Sequence, residues 1–383
     1  MPASQNHSTN QWRQAVIELH NNKKSVPTTM PADFYQSEDL LQLETRSLFL
    51  NGWICVGRAD EIPQPGDYYC LEVLDEPLVI TRGNDNSISV LSNVCRHRGS
   101  VVMSGSGNTR KLTCPYHKWS YALDGKLLAA PLIEVDKTEG FDKSSCALPS
   151  FRCSLWMGYI FINMDGEAES FEDITKGVDE LVKNYHMEEM RTVKAGPEHW
   201  PVNWKCLAEN FMEGYHLTPV HLKTLHPMTP TRLCEKVEGK TGYTAYKSHY
   251  DEKFEGRAPY HEDMTEEERS LSMMVWIYPS FVVACSPNSA VFMGITPTSG
   301  TSLQTRWGVI AREELFDSEE AMARYTFAAS FNAEDKERLI SMQHGLESRY
   351  ATRSPLAPPD YEGTIWDFYH YVADKLTPGL KQS

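Results

Sequence analysis

The sequence predicts an α+β protein in which a compact all-β domain precedes a domain of antiparallel sheet and helices. Three observations lead there. Strand-like runs separated by turn clusters fill residues 53–164, a second set lies between 273 and 311, and helical periodicity frames both, at 38–48 and 318–349. At 383 residues, 41% hydrophobic and 23% charged, the chain carries apolar material for two or three domains, which excludes wholesale disorder. The expected divisions are 1–44, a helical segment packing on the second domain, 45–165, the β-domain, and 166–383, the α+β domain.

Each element has its own signal. Ser37 ahead of Glu38 and Asp39 reads as a helix start, with Leu40, Leu41 and Leu48 following at helical spacing. The runs 53–57, 68–74, 78–81 and 88–91 read as strands, split by turns such as Gly83-Asn84-Asp85-Asn86. Asp124-Gly125, between 121–123 and 127–128, is a hairpin signal, and 157–164 closes the β-domain. Helical pattern returns at 170–187 and 204–216. Strands follow at 273–278, 281–285, 290–295 and 303–311, and a helix over 318–349 starts from Asp317 or Ser318. The charged stretch 252–270, with Gly256 and Pro259, reads as a solvated surface loop, with a flap as the alternative.

Composition excludes several functions. A net charge of −15 lacks the basic footprint that nucleic acid requires. No run of about 18 apolar residues spans a membrane, and the polar start MPASQNHSTNQWRQ lacks a secretory h-region. Nine cysteines, an odd count spread along the chain, do not make a disulfide framework, so a reduced, cytoplasmic setting is expected.

Two of those cysteines stand beside histidines, in Cys95-Arg96-His97 and Cys114-Pro115-Tyr116-His117. Two thiolates and two imidazoles on paired loops suit a tetrahedral zinc site or a Rieske-type [2Fe–2S] cluster, with four unrelated buried side chains as the ordinary alternative. Zinc fingers usually pair Cys with Cys and His with His. Here each loop offers one of each, so each can supply one ligand to each iron of a cluster.

A second constellation lies at 203–221, where His216 and His221 stand five apart. Five helical residues turn through a net ~140°, so both cannot face one point on a regular helix. Pro219 between them predicts that the helix ends near His216 and the chain bends to bring His221 back. Two imidazoles and a carboxylate make the facial triad of non-haem Fe(II), whereas H-x₄-H alone is equally well two ordinary core or surface histidines. In the late helix Asp335, Leu339, Met342 and Leu346 fall on one stripe, with Glu334 and Glu337 pointing away and His344 nearly opposite. A buried acid should be paired or metal-bound, which selects Asp335 as the carboxylate, with a structural ion pair as its ordinary role.

The segment 95–127, CRHRGS…CPYHKWSYALDGKL, resembles the Rieske domain of the ring-hydroxylating oxygenase α-subunits, and is close to the betaine/choline/carnitine monooxygenases of that superfamily. The resemblance covers about 40–350 and includes an Asp on a late helix followed by Gln343 and Gly345-Leu346. It implies a helix-grip (START-like) catalytic domain. It also implies a [2Fe–2S] cluster on Cys95, His97, Cys114 and His117, and mononuclear Fe(II) on His216, His221 and Asp335. The implied reaction uses O₂ and electrons from NAD(P)H to oxygenate a C–H bond or an arene, as a monooxygenase or a dioxygenase. The chain shows no Gly-rich dinucleotide fingerprint after a strand and before a helix, so a partner flavin/iron–sulfur reductase, with or without a ferredoxin, is implied. So is a homotrimer in which clusters and irons meet across subunits.

Glu213 stands where the family usually has Asp. Carried over, it would link the iron of one subunit to His117 of a neighbour and orient His216. Glu at this place resembles the branch acting on quaternary ammonium compounds. For such a substrate Trp204, Phe211, Tyr215, Trp276, Tyr278 and Trp307 offer a cation–π cage, although aromatics at these spacings are more often core. An aromatic or aromatic-acid substrate, with Arg306 as its anion partner, is the alternative. A pure electron-transfer protein would leave His216, His221 and Asp335 unexplained.

Overall fold

The structure is a computed structural model, and it describes residues 10–134, 139–254, 258–316 and 319–380. The chain divides into two compact units: Trp53–Ala168, and the residues up to Gly52 together with those from Glu169.

Helix α1 (Gln11–Asn21) buries Trp12, Ala15, Val16 and Leu19, one stripe at helical spacing. Helix α2 (Glu38–Glu44) starts at Ser37, whose Oγ accepts the Leu40 N–H at 3.2 Å. A π-helical turn, Thr45–Leu50, continues α2 and buries Leu48 and Phe49, which keeps these residues with the helices rather than with the β unit.

Among the described residues, the β unit holds three antiparallel sheets. Its strands are β1 (Ile54–Arg58), β2 (Asp67–Val73), β3 (Glu76–Arg82), β4 (Ile88–Ser92), β5 (Ser106–Asn108), β6 (Leu112–Thr113), β7 (Ser120–Tyr121), β8 (Leu127–Ala129), β9 (Arg152–Trp156) and β10 (Tyr159–Asn163). The sheet orders are β4-β3-β2-β5, β6-β7-β8 and β1-β10-β9. The Asp124-Gly125 turn joins β7 to β8. Gly125 has φ +86, and a Cβ there would lie 3.0 Å from the Leu148 carbonyl oxygen, so glycine is required. Strands β5 and β6 span three and two residues, too short to show a period.

The second unit continues with α3 (Phe171–Val182), β11 (Arg191–Trp200), α4 (Trp204–Phe211), α5 (Leu217–Val220), β12 (Cys234–Lys240), β13 (Tyr243–His249), β14 (Leu271–Ile277), β15 (Phe281–Ser286), β16 (Ser289–Ser299), β17 (Ser302–Ala311), α6 (Glu320–Leu346) and α7 (Pro359–Leu380). The seven strands among its described residues form one antiparallel sheet, β11-β17-β16-β15-β14-β13-β12. Strands β11 to β13 and helix α7 were not expected. Strands β11 and β12 are the sheet edges and mix polar and half-buried residues without clean alternation. The period of α7 is legible in hindsight: Ile365, Phe368, Tyr369, Val372, Ala373 and Leu376 are buried.

Helix α6 departs from its predicted stripe. Its buried side is Ala321, Ala328, Asn332, Asp335, Leu339 and Gln343, whereas Met342 is 42% exposed. The proposed N-caps Asp317 and Ser318 lie outside the described residues, as does Gly256 of the 252–270 stretch. Among the described residues no helix is long and apolar enough to cross a membrane.

Helix α4 rests on buried polar groups. Its N-cap Asn203 accepts the Lys205 N–H at 2.9 Å, and the Asn203 N–H donates to Gln343 of α6 at 2.8 Å. Lys205 Nζ meets the Glu44 carboxylate at 2.7 Å, and Trp204 Nε1 donates to the same group at 2.8 Å. Burial pushes Glu44 up, against the pull of Lys205. Removing one member of a buried pair strands the other charge. Lys205→Met should therefore cost about 3–5 kcal/mol, read as a lowered urea midpoint.

One turn further along, Glu209 accepts the Tyr35 hydroxyl at 3.0 Å and the Tyr369 hydroxyl at 3.4 Å. Burial pushes this carboxyl up to about 8, only partly opposed by those hydroxyls and by Lys205. The folded state therefore holds a proton that the unfolded chain releases near 4.5, so this contribution is full below about 4.5 and is lost as pH rises to about 8. A Glu209→Gln variant should show a flatter decline of unfolding midpoint with pH across that window than the parent chain.

Candidate metal centres

His216 and His221 flank α5 as its N-cap and C-cap residues. The helix before them ends at Phe211, not near His216. Pro219 does not break a helix but lies within the single turn of α5, where the missing N–H has no intrahelical partner to lose. The one-turn spacer returns His221 beside His216, with ring centroids 5.1 Å apart. Asp335 of α6 completes the group: its Oδ1 is 3.1 Å from His221 Nε2 and 3.5 Å from His216 Nε2. One donor atom from each residue lies within 4.8 Å of the others.

Both imidazoles are fixed from behind by a carboxylate. Glu213 Oε1 lies 2.6 Å from His216 Nδ1, and its Oε2 accepts the backbone N–H groups of Tyr215 and of His216, the latter at 3.1 Å. Glu334 Oε2 lies 2.7 Å from His221 Nδ1 and accepts the Thr224 hydroxyl at 2.6 Å. With Nδ1–H donated rearward, each ring turns an Nε2 lone pair toward Asp335. His221 Nε2 is buried without a hydrogen-bond partner. An inward lone pair, a second imidazole and a carboxylate on one point suit a divalent cation, so the residues fit mononuclear iron. Glu334 was expected to point away. It lies on the flank of α6 that faces the 221–224 turn, and only the chain's return after α5 brings His221 there.

The site opens into a cavity of about 630 Å³. Two cross-strand rows form one wall: Tyr246, Met274, Ala284, Val291 and Val309, and beside it Ser248, Ser272, Ser286 and Ser289. The period of two along each strand places both rows on one face. The serines are linked: Ser272 and Ser286 hydroxyls are 2.9 Å apart, as are Tyr250 and Ser272, and Thr229 meets Ser248 at 2.5 Å. Phe211, Phe254, Phe327 and Phe331 supply rings to the remaining wall, and Lys223 with the Arg324–Glu320 pair (3.7 Å) supplies charge.

Of the expected cage only Phe211 lines this cavity. Trp276 is buried against Phe368 of α7, with ring centroids 4.2 Å apart. Tyr278 stacks on Tyr371, and Trp307 stacks on Tyr325 at 5.0 Å while donating to Glu198. Trp204 is tied to Glu44, and Tyr215 is 57% exposed, stacked on Tyr361. Arg306 is not among the lining residues.

The β unit presents the other group on two tight turns. Cys95 and Cys114 are buried in its core. The Cys95 N–H donates to Ser100, the Gly99 N–H returns to Cys95, and the Cys114 and Lys118 N–H groups close the second turn on Trp119 and Cys114. Burial raises the Cys114 thiol, but the N–H groups of Tyr116 and His117 and the Cys95 thiol bring it below its ordinary value. The Tyr121 hydroxyl lies 3.2 Å from Cys95 Sγ. His97 and His117 stand at the half-exposed edge with their Nδ1 atoms 3.2 Å apart, and His97 stacks on Trp119. Burial, His117 and Arg98 hold His97 below its ordinary value, which favours the neutral, ligating imidazole. Buried thiols with N–H donors behind them and converging imidazoles at the rim fit a [2Fe–2S] cluster with its histidine iron outermost.

Known proteins resemble both units of the chain. The carnitine monooxygenase oxygenase subunit of Escherichia coli (strain K12) is 29% identical over 331 residues, 84% of this chain and 85% of that protein. That of Acinetobacter baumannii is 36% identical over 199 residues, 51% of this chain and 53% of its own length, so the aligned stretch spans about half of that relative. A solved quaternary ammonium Rieske monooxygenase, described in terms of carnitine oxidation and inter-subunit electron transfer, superposes with a TM-score of 0.81 at 27% identity, covering 94% of this chain and 98% of that one. Residues 52–148 match the Rieske [2Fe-2S] domain, and residues 184–378, which include His216, His221 and Asp335, match the ring hydroxylating alpha subunit (catalytic domain). With half of its length inside that second match, the chain belongs to the ring-hydroxylating α-subunit family of Rieske oxygenases.

Proposed function

We propose that this chain is the terminal oxygenase component of a multicomponent monooxygenase acting on a small quaternary ammonium compound with an anionic end, of the betaine or carnitine type. Cys95, His97, Cys114 and His117 would hold the [2Fe–2S] cluster, and His216, His221 and Asp335 the mononuclear iron. Bound there, the two groups supply electron storage and O₂ activation. The protein orients the ligand imidazoles through Glu213 and Glu334 and encloses the substrate beside them.

The observation that carries this reading is the three-ligand group opening into a cavity that is apolar at one row and hydroxylic at the next. Aromatic rings such as Phe331, 6.2 Å from His221, suit a trimethylammonium group. The serine row with Lys223 and Arg324 suits a carboxylate or hydroxyl, which a bare aromatic hydrocarbon would leave unused. Electrons from NAD(P)H through a partner reductase, a homotrimer and a Glu213 bridge to a neighbour's cluster are parts of the same proposal. They are supported by the absence of a dinucleotide fingerprint in the sequence and by the family resemblance. A cytoplasmic setting is supported by nine cysteines with no disulfide among them.

With a generic reductase, carnitine and glycine betaine should drive substrate-dependent NADH consumption at least about tenfold faster than choline, which lacks the carboxylate that the serine row and Lys223 would bind, a difference of about 1.4 kcal/mol. Formaldehyde release would mark N-demethylation. Consumption driven by aromatic acids and by none of the ammonium compounds would overturn the assignment.

A further inference from the structure

A second cluster of ligating side chains lies away from the iron residues. His186, His261 and Asp263 each bring one donor atom within 4.8 Å of the others. None of the three lines the cavity. His186 sits between two 3₁₀ turns with φ +49, and His261 and Asp263 come from the connection between β13 and β14. Asp263 Oδ2 is 2.9 Å from His186 Nε2 and 3.5 Å from His261 Nδ1. A tetrahedral zinc site with bonds of 2.0–2.1 Å has donor–donor edges of about 3.3–3.4 Å, which these two distances bracket. The imidazoles lie face to face, centroids 3.7 Å apart and tilted by 28°, so one ring would turn on binding to bring both in-plane lone pairs onto one ion.

Carboxylates also stand near the outward nitrogens, at ion-pair rather than hydrogen-bond distance. His186 Nδ1 faces Glu188 at 3.5 Å and Glu189 at 3.8 Å, and His261 Nε2 faces Glu189 at 3.9 Å. A carboxylate behind each ligating imidazole is the arrangement that raises ligand basicity at metal sites. One contact competes: the Asp263 N–H donates to His261 Nδ1 at 3.2 Å and would be given up on binding.

We propose that His186, His261 and Asp263 form a zinc site, with Glu189 behind both rings, that fastens the β13–β14 connection to the turn after α3. That connection also carries Phe254 of the cavity wall. Nitrogen-rich donors favour zinc over magnesium or calcium, and the half-exposed position leaves the fourth place to water.

The test is zinc titration of the iron-loaded holoenzyme, followed by calorimetry and by elemental analysis after desalting. The expected result is one additional zinc per chain with iron retained. His261→Gln and Asp263→Asn should each weaken it by more than about 100-fold, and Glu189→Gln by about 10–100-fold, the usual worth of an outer carboxylate. Cobalt in place of zinc should give tetrahedral visible bands that vanish in His261→Gln. Absence of uptake, uptake indifferent to His261, or uptake matched by released iron would each overturn the site. The last two would place the zinc elsewhere, and the first would leave the cluster a set of histidine–carboxylate ion pairs. None of these readouts depends on which substrate the oxygenase takes.

Discussion

Replacing Asp335 with alanine is expected to leave a folded, red-brown chain that retains its cluster, about two irons, but has lost the mononuclear one and turns over at background. Asp335 Oδ1 is the one atom that both inward nitrogens face, at 3.1 and 3.5 Å, and it supplies the only formal negative charge of the three proposed ligands. Without it two neutral imidazoles remain to hold a dication in a buried pocket, and the desolvation of that charge is no longer offset. Asp335→Asn separates charge from shape. It preserves the packing on α6 and a polar partner for Asn210, now 3.4 Å away, yet should still lose most of the iron. The measurement is iron and sulfide per chain, with the EPR signal of the reduced cluster as internal standard. Full mononuclear iron in the alanine variant would remove Asp335 from the ligand set.

The candidate ligands were legible in the sequence because they are chosen by residue type. Two Cys–His pairs and a buried Asp announce themselves wherever the backbone takes them. What surrounds them was less legible, because it depends on elements that carry no motif. Trp276 and Tyr278 looked available for a cation cage only while α7 went unrecognised. Phe368 and Tyr371 of that helix cover them, and Tyr325 of α6 covers Trp307. The stripe on α6 drifts from Met342 to Gln343 because Gln343 is paired, to the Asn203 N–H at 2.8 Å, and a paired amide can be buried where an unpaired one cannot. The serine row needed the register of four strands, which no single strand's pattern contains. Glu334 was misread for a related reason. Helical geometry fixes its direction from α6, but only the return of the chain at His221 gives that direction a partner.

Glu213→Gln is expected to keep both metal centres and lower turnover by more than about 100-fold, above the upper end of what an outer-sphere partner usually contributes. The carboxylate has two separable tasks. Within its own chain it receives His216 Nδ1 at 2.6 Å and two backbone N–H groups, which holds the ring and the turn into α5. A glutamine oxygen can accept those same hydrogens, so His216 keeps its orientation and the iron stays. The proposed second task is to couple the iron of one subunit to His117 of its neighbour. That task uses the negative charge, which stabilises an imidazolium or imidazole N–H during electron transfer and which an amide lacks. Iron content and the rate of cluster reoxidation therefore divide the two. In the E213Q variant, mixed with substrate and O₂ after chemical reduction, slow reoxidation at full iron occupancy supports the bridge. Reoxidation at the parent rate would confine Glu213 to holding His216. Parallel loss of iron and turnover would do the same, since a bridge that carries electrons has no reason to release the metal.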